Sequence, residues 1–233
     1  METTTVLKVR NKAQSQKMTR KILVICGTFS SLLYVAMLII VPMQWDSYHS
    51  VSQTVSELSA IGAPTRTLWV SLGIVYALLV SAFGVGVWQS AARNHPLRIA
   101  AGLIVVYGII CLFWPLAPMH LREVLAMGGK TFSDTLHIVF TMVTILLMLF
   151  AIGFGAAAFG KRFRFYSIVI MVSLFMFGIL TGLEAPGIDK NLPTPLIGVW
   201  ERINICIFLL WVMVLTSVLL RVEKVSLPRT TAS

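Results

Sequence analysis

The chain has 233 residues, of which 57% are hydrophobic and only 12% charged, with a mean hydropathy of +0.86. Soluble domains carry roughly a quarter charged residues, so a water-soluble globule is excluded and an all-α polytopic membrane protein is predicted. The net charge of +10 does not point to nucleic acid, because the excess sits in short segments between apolar stretches and builds no basic stripe on a folded surface.

Six apolar stretches, at about residues 22–41, 68–90, 98–117, 135–159, 165–183 and 198–220, each approach the ~20 residues that cross a ~30 Å hydrocarbon core. A spanning backbone must satisfy its own hydrogen bonds, so each is read as a helix. The organisation is a basic tail over 1–21, a six-helix transmembrane domain over 22–221 and a short tail over 222–233. Tails and loops then alternate sides. One side gathers most of the basic residues, among them Lys17, Arg20, Lys21, Arg93, Arg98, Lys161, Arg162, Arg164 and Arg221. The positive-inside rule makes that side cytoplasmic, with both termini on it. The other side holds Asp46, Glu57, Glu123, Asp134, Glu184, Asp189 and Glu201, together with His49, His120 and His137. The setting read from this is a plasma membrane.

The N-terminal segment is polar and is read as mobile. Its basic run precedes an apolar stretch too long for a signal-peptide core, so span 1 is read as an uncleaved anchor. After Pro42 the longest outer loop contains Ser50-Val-Ser-Gln-Thr-Val-Ser-Glu-Leu-Ser59. Ser50 with Gln53, and Thr54 with Glu57, have capping-box spacing, which predicts a short interfacial helix near 50–60, broken by Gly62, Pro64 and Thr65. Trp45, Tyr48 and Trp69 are placed in an aromatic belt. Gly84, Gly86, Gly153, Gly155, Ala156 and Gly160 are read as close helix–helix contacts. Cys26, Cys111 and Cys206 all fall in spans. A Cys111–Cys206 bridge is conceivable by depth, but no spacing supports it.

Polar residues at the outer ends of the spans carry whatever chemistry there is. Ser133-Asp-Thr-Leu-His-Ile-Val-Phe-Thr141 opens span 4. At about 100° per residue it puts Asp134, His137, Thr141 and Thr144 on one face. Such a stripe faces the bundle interior or a water-filled cavity, and an Asp134–His137 hydrogen bond is its simplest structural use. In span 6, Glu201 and Asn204 share a face. Arg202 points elsewhere, with Glu57, Glu184 or Asp134 as its expected partner. Glu184, at a helix C-terminus, opposes the dipole and needs a cation or a proton. Together Glu57, His120, Arg122, Asp134, His137, Glu184, Glu201 and Arg202 are expected to converge on one outward-facing cup.

Short stretches of this chain resemble a bacterial membrane family called domain of unknown function 998. They are Ser56-Glu-Leu-Ser-Ala-Ile-Gly-Ala-Pro-Thr-Arg66, Pro118-Met-His120, Asp134-Thr-Leu-His137 and Gly198-Val-Trp-Glu-Arg202, within a similarity over about residues 22–220. The resemblance implies a six-helix integral membrane protein, set in a bacterial inner membrane, to which Glu57, His137, Glu201 and Arg202 contribute pattern residues. It supplies no reaction. The chain departs from alkaline-ceramidase-type hydrolases, which place an HxxxH pair in a late span.

Three functions follow as expectations. The first is an outward-facing polar pocket for membrane lipid or a small amphiphilic ligand, with Arg122 or Arg202 meeting an anionic headgroup. The second is a metal-dependent hydrolase acting on lipid or an envelope precursor. There His137, oriented by Asp134, serves as base or metal ligand, Glu57 or Glu201 is the second acid–base group, and His120, His137 and Asp134 are candidate Zn or Mn ligands. No metal motif is present, and Ser56, Ser59 and Ser133 lack a nucleophile-elbow setting. The third is an accessory subunit whose polar cluster only locks the bundle.

Overall fold

In a computed structural model, which describes residues 2–225, the chain is all-helical. Six helices are long and apolar enough to cross a membrane. They are α1 (Glu2–Ile40), α2 (Arg66–Ser90), α3 (His95–Phe113), α5 (Phe132–Ala158), α6 (Lys161–Glu184) and α7 (Ile197–Val225), with a short α4 (Arg122–Ala126) between α3 and α5. Two boundaries differ from the sequence reading. The basic N-terminal segment continues α1 from Glu2 and is helical, where a mobile tail was expected. At the other end α7 carries the predicted tail on to Val225, and residues 226–233 of that tail lie outside the described residues.

The long helices run up and down in sequence order. Their main packings join α1 to α2, α2 to α3, α3 to α5, α5 to α6, α6 to α7 and α7 back to α1, which closes a ring. Small residues set the tightest approaches. A Cβ on Gly86 would meet the Val24 nitrogen at 2.7 Å and Leu23, so α1 and α2 touch backbone to backbone. A Cβ on Gly84 would meet the Val105 nitrogen of α3 at 2.9 Å, and one on Gly155 of α5 would meet the Trp211 ring of α7. Gly160, in contrast, has nothing within 4 Å, and Gly153 is only at 4.0 Å from the Met171 sulfur. The contact expected of those two glycines is therefore absent or marginal.

Large side chains fill one half of the ring. Phe83, Ile104, Ile152, Phe208, Trp211 and Leu215 are fully or almost fully buried there, and the Trp211 indole donates to the Ser167 hydroxyl at 3.0 Å. The outward faces are apolar instead, with Phe165 71% and Phe175 63% exposed. That pattern suits a protein whose surrounding solvent is hydrocarbon. Two short connections, residues 91–94 and 159–160, join helices at this basic end. Asn94 ties them together, accepting from the Leu97 N–H and donating to the Ala158 carbonyl at 2.8 Å.

Three longer connections meet at the opposite end and form a cap. The expected helix near 50–60 is a 3-10 turn, Val55–Ser59, that starts on the Thr54/Glu57 capping box. Ser50 and Gln53 form no such box, since Gln53 accepts from the His49 N–H. Gly62 sits at φ +90°, where a side chain is disfavoured, and lets Ile61 reach back to the Met119 carbonyl at 2.8 Å. Tyr48 and Trp69 are buried and take no part in an interfacial belt: Trp69 packs edge-on against Tyr34. The three cysteines are free thiols, so no Cys111–Cys206 bridge forms.

Candidate functional site

The cap is held by two arginines, and both are spent on it. Arg122, at the first turn of α4, forms a bidentate pair with Glu57: Nε to Oε1 at 2.8 Å and Nη2 to Oε2 at 2.9 Å. Glu57 is wholly buried and also accepts from the Thr54 N–H, the Thr54 hydroxyl and the Gln53 amide. Arg122 further donates to Thr194, whose hydroxyl donates to the Ser52 carbonyl at 2.8 Å. One arginine thus links all three cap connections.

Arg202 does not pair with Glu57, Glu184 or Asp134. Its Nη1 donates to the carbonyls of Ser50, Gln53 and Gly198, and its Nη2 to the Tyr48 hydroxyl at 2.6 Å. The loop crosses so close to Gly198 that a Cβ there would collide with the Gln53 and Ser50 carbonyls. Carbonyls brought that near α7 need a donor, and Arg202 supplies it. Burial outweighs the neighbouring guanidinium and raises the Tyr48 phenol above its ordinary pKa, so Tyr48 stays protonated and passes its own hydrogen bond to the Thr54 carbonyl. Glu184 accepts from the Leu196 N–H and the Trp200 indole, both at 3.1 Å. Those two donors meet the need for which a cation was expected.

The histidines also separate. Asp134 accepts from the His120 backbone N–H at 2.7 Å and from His120 Nδ1 at 2.9 Å, and takes two further bonds from Thr131. It does not orient His137. The His137 Nδ1 lies 2.8 Å from the Ala117 carbonyl, an acceptor only, so Nδ1 carries the proton and Nε2 is the acceptor of the neutral ring. Trp114 stacks edge-on against that ring at 5.2 Å. Asp134 turns away because Thr131, three residues earlier, closes a capping box with it. Among the described residues no three His, Cys, Asp or Glu side chains gather as a metal site requires.

Beneath the cap, the half of the ring that the large side chains leave unfilled holds a cavity of about 420 Å³. The predicted stripe of α5, Asp134, His137, Thr141 and Thr144, faces it, as do Glu201 and Asn204 of α7. The Asn204 Oδ1 is buried there with no hydrogen-bond partner. Thus three of the eight residues expected to converge, Asp134, His137 and Glu201, line one space. Glu57, His120, Arg122, Glu184 and Arg202 belong to the wall and cap around it.

Sequence reasoning missed some of the lining. Tyr34, Tyr76 and Tyr107 line the cavity from α1, α2 and α3, with the Tyr76 and Tyr107 hydroxyls 2.9 Å apart. Three polar-tipped rings inside predicted spans were the available signal. Arg66 lines the cavity too. In the sequence it is visible only as the last residue of a motif, ahead of the apolar stretch that begins near residue 68, whereas it is the first residue of α2.

The fold defines a multi-pass helical membrane protein. The chain belongs to the family described as protein of unknown function (DUF998), whose pattern it matches over residues 29–218. No curated protein and no solved structure matches it.

Proposed function

We propose that the protein holds a lipid chain or small amphiphile in the cavity under its cap. The observation that carries this reading is the cavity itself. Its volume of about 420 Å³ falls within the ~300–1,000 Å³ of small-molecule sites, and its mostly apolar wall with a few convergent polar groups is typical of them. Entry from the bilayer is supported at the α5–α6 seam. Ile138 and Met142 line the cavity and are yet 52% and 55% exposed, and across the seam Gly182 also lines it and is exposed. By the positive-inside rule the cap faces away from the cytoplasm.

Binding is favoured over hydrolysis by the hydrogen-bond pattern. A general base needs an orienting partner and a nucleophile within reach. Here the Ala117 carbonyl orients His137, but the candidate nucleophiles are committed, Ser59 donating to the Ser56 carbonyl and Ser133 to the Pro118 carbonyl. The accessory reading is supported only for the cap, where Arg122 and Arg202 act as locks.

The test fills the cavity. Added Cβ atoms on Gly73 and Gly182 meet nothing within 4 Å, and both glycines line the space. Native mass spectrometry of mildly solubilised protein is expected to show a retained amphiphile in the wild type and its loss in Gly73→Leu/Gly182→Leu. Equal retention by both, or none by the wild type, would reject the proposal.

A further inference from the structure

The expected headgroup partners, Arg122 and Arg202, are consumed by the cap, but Arg66 is not. Its Nη1 donates to the Ser59 carbonyl at 2.5 Å, and among the described residues it forms no ion pair. A guanidinium carries five N–H donors in a fork suited to carboxylate or phosphate, so most of its capacity is left over. Its position adds to the imbalance. Arg66 opens a helix of 25 residues that has no side-chain N-cap and no acid in its first turn, and a cation at a helix N-terminus stands against the dipole. The cavity's own carboxylates do not answer it. Asp134 is filled by four donors, Glu201 is directed to the Val55 N–H at 2.6 Å and to the Ser56 hydroxyl, and Asp189, which also lines the space, is paired with Lys130 at 2.7 Å.

We infer that the cavity takes a single-chain amphiphile bearing an oxyanion, carboxylate or phosphate, with Arg66 as its counter-ion. The alkyl chain lies between Gly73 of α2 and Gly178 of α6 and reaches toward Phe208, all of which line the same space. The volume sits at the lower end of the small-molecule range and suits one chain better than a whole two-chain lipid. This inference rests on the cavity being a ligand site.

The experiment measures binding of oleate, oleoyl lysophosphatidate and neutral mono-oleoylglycerol to the full chain in non-ionic detergent. It compares wild type, Arg66→Gln, Arg66→Lys and the cavity-filled Gly73→Leu/Gly182→Leu. Wild type is expected to prefer at least one anion over the neutral ester by about tenfold, the scale of one charge-assisted hydrogen bond. The stronger of oleate and lysophosphatidate tells carboxylate from phosphate. Arg66→Gln should erase the preference and leave neutral binding intact, while Arg66→Lys keeps part of it. Equal wild-type binding of anion and neutral ester overturns the inference but spares the cavity reading, and this comparison does not depend on any variant folding. A preference that survives Arg66→Gln also overturns it. If wild type binds none of the three, or the filled variant binds all as well as wild type does, both readings fall.

Discussion

Glu57 shows how a residue that reads as catalytic can be structural. It is buried completely, yet the two N–H groups of Arg122 and the donors of Thr54 and Gln53 occupy its oxygens. Removing one member of a buried pair leaves the other charge without compensation, at a cost of about 3–5 kcal/mol. Thermal unfolding in detergent should therefore show a large loss for Glu57→Leu and for Arg122→Leu. The double variant should lose less than the sum, because it leaves no orphaned charge. Additive losses would mean that the pair is not coupled. His137 makes fewer bonds. His137→Ala frees the Ala117 carbonyl and should cost about 1–3 kcal/mol, with the bundle still folded. Collapse of the fold in that variant would contradict the geometry.

At the scale of elements, the ring depends on a few contacts without side chains. Gly86 admits the backbone of α1, so Gly86→Ala must separate α1 from α2. The helix propensity gained from alanine is at most about 1 kcal/mol, whereas overpacking against a backbone costs about 1–3 kcal/mol. Net destabilisation is expected for Gly86→Ala. Gly153→Ala, inside α5 with only the Met171 sulfur at 4.0 Å from its Cβ, should unfold at or above the wild-type temperature. Equal stability of the two variants would show that the α1–α2 approach is looser than described. The cap works differently. Its elements are too short to hold themselves, as the five-residue turn Val55–Ser59 illustrates, and they are fixed by arginines reaching across from α4 and α7.

For the whole molecule, the asymmetry of charge implies an orientation. Lys190, exposed in the cap, and Arg162, exposed at the basic end, mark its two ends. With the native cysteines replaced, Lys190→Cys should react with an impermeant maleimide in intact cells, and Arg162→Cys only after the membrane is opened. The opposite labelling would invert the topology.

Length, apolar runs and charge alternation determined the class, the number of spans and the end at which polar residues gather. These properties depend on local sequence and on the low dielectric of the bilayer, which punishes any stray polar group. The face of α5 that carries Asp134, His137, Thr141 and Thr144 was legible for the same reason, since helical period alone sets it. Partners were not legible. Seven acidic and five basic residues share the cap side, so many pairings satisfy charge equally well and spacing cannot rank them. Only the closure of the ring, which brings residues 50–53 over Gly198 and α4 beneath the 185–196 connection, decided that Arg122 takes Glu57, that Arg202 takes backbone carbonyls, and that Arg66 is left facing the cavity.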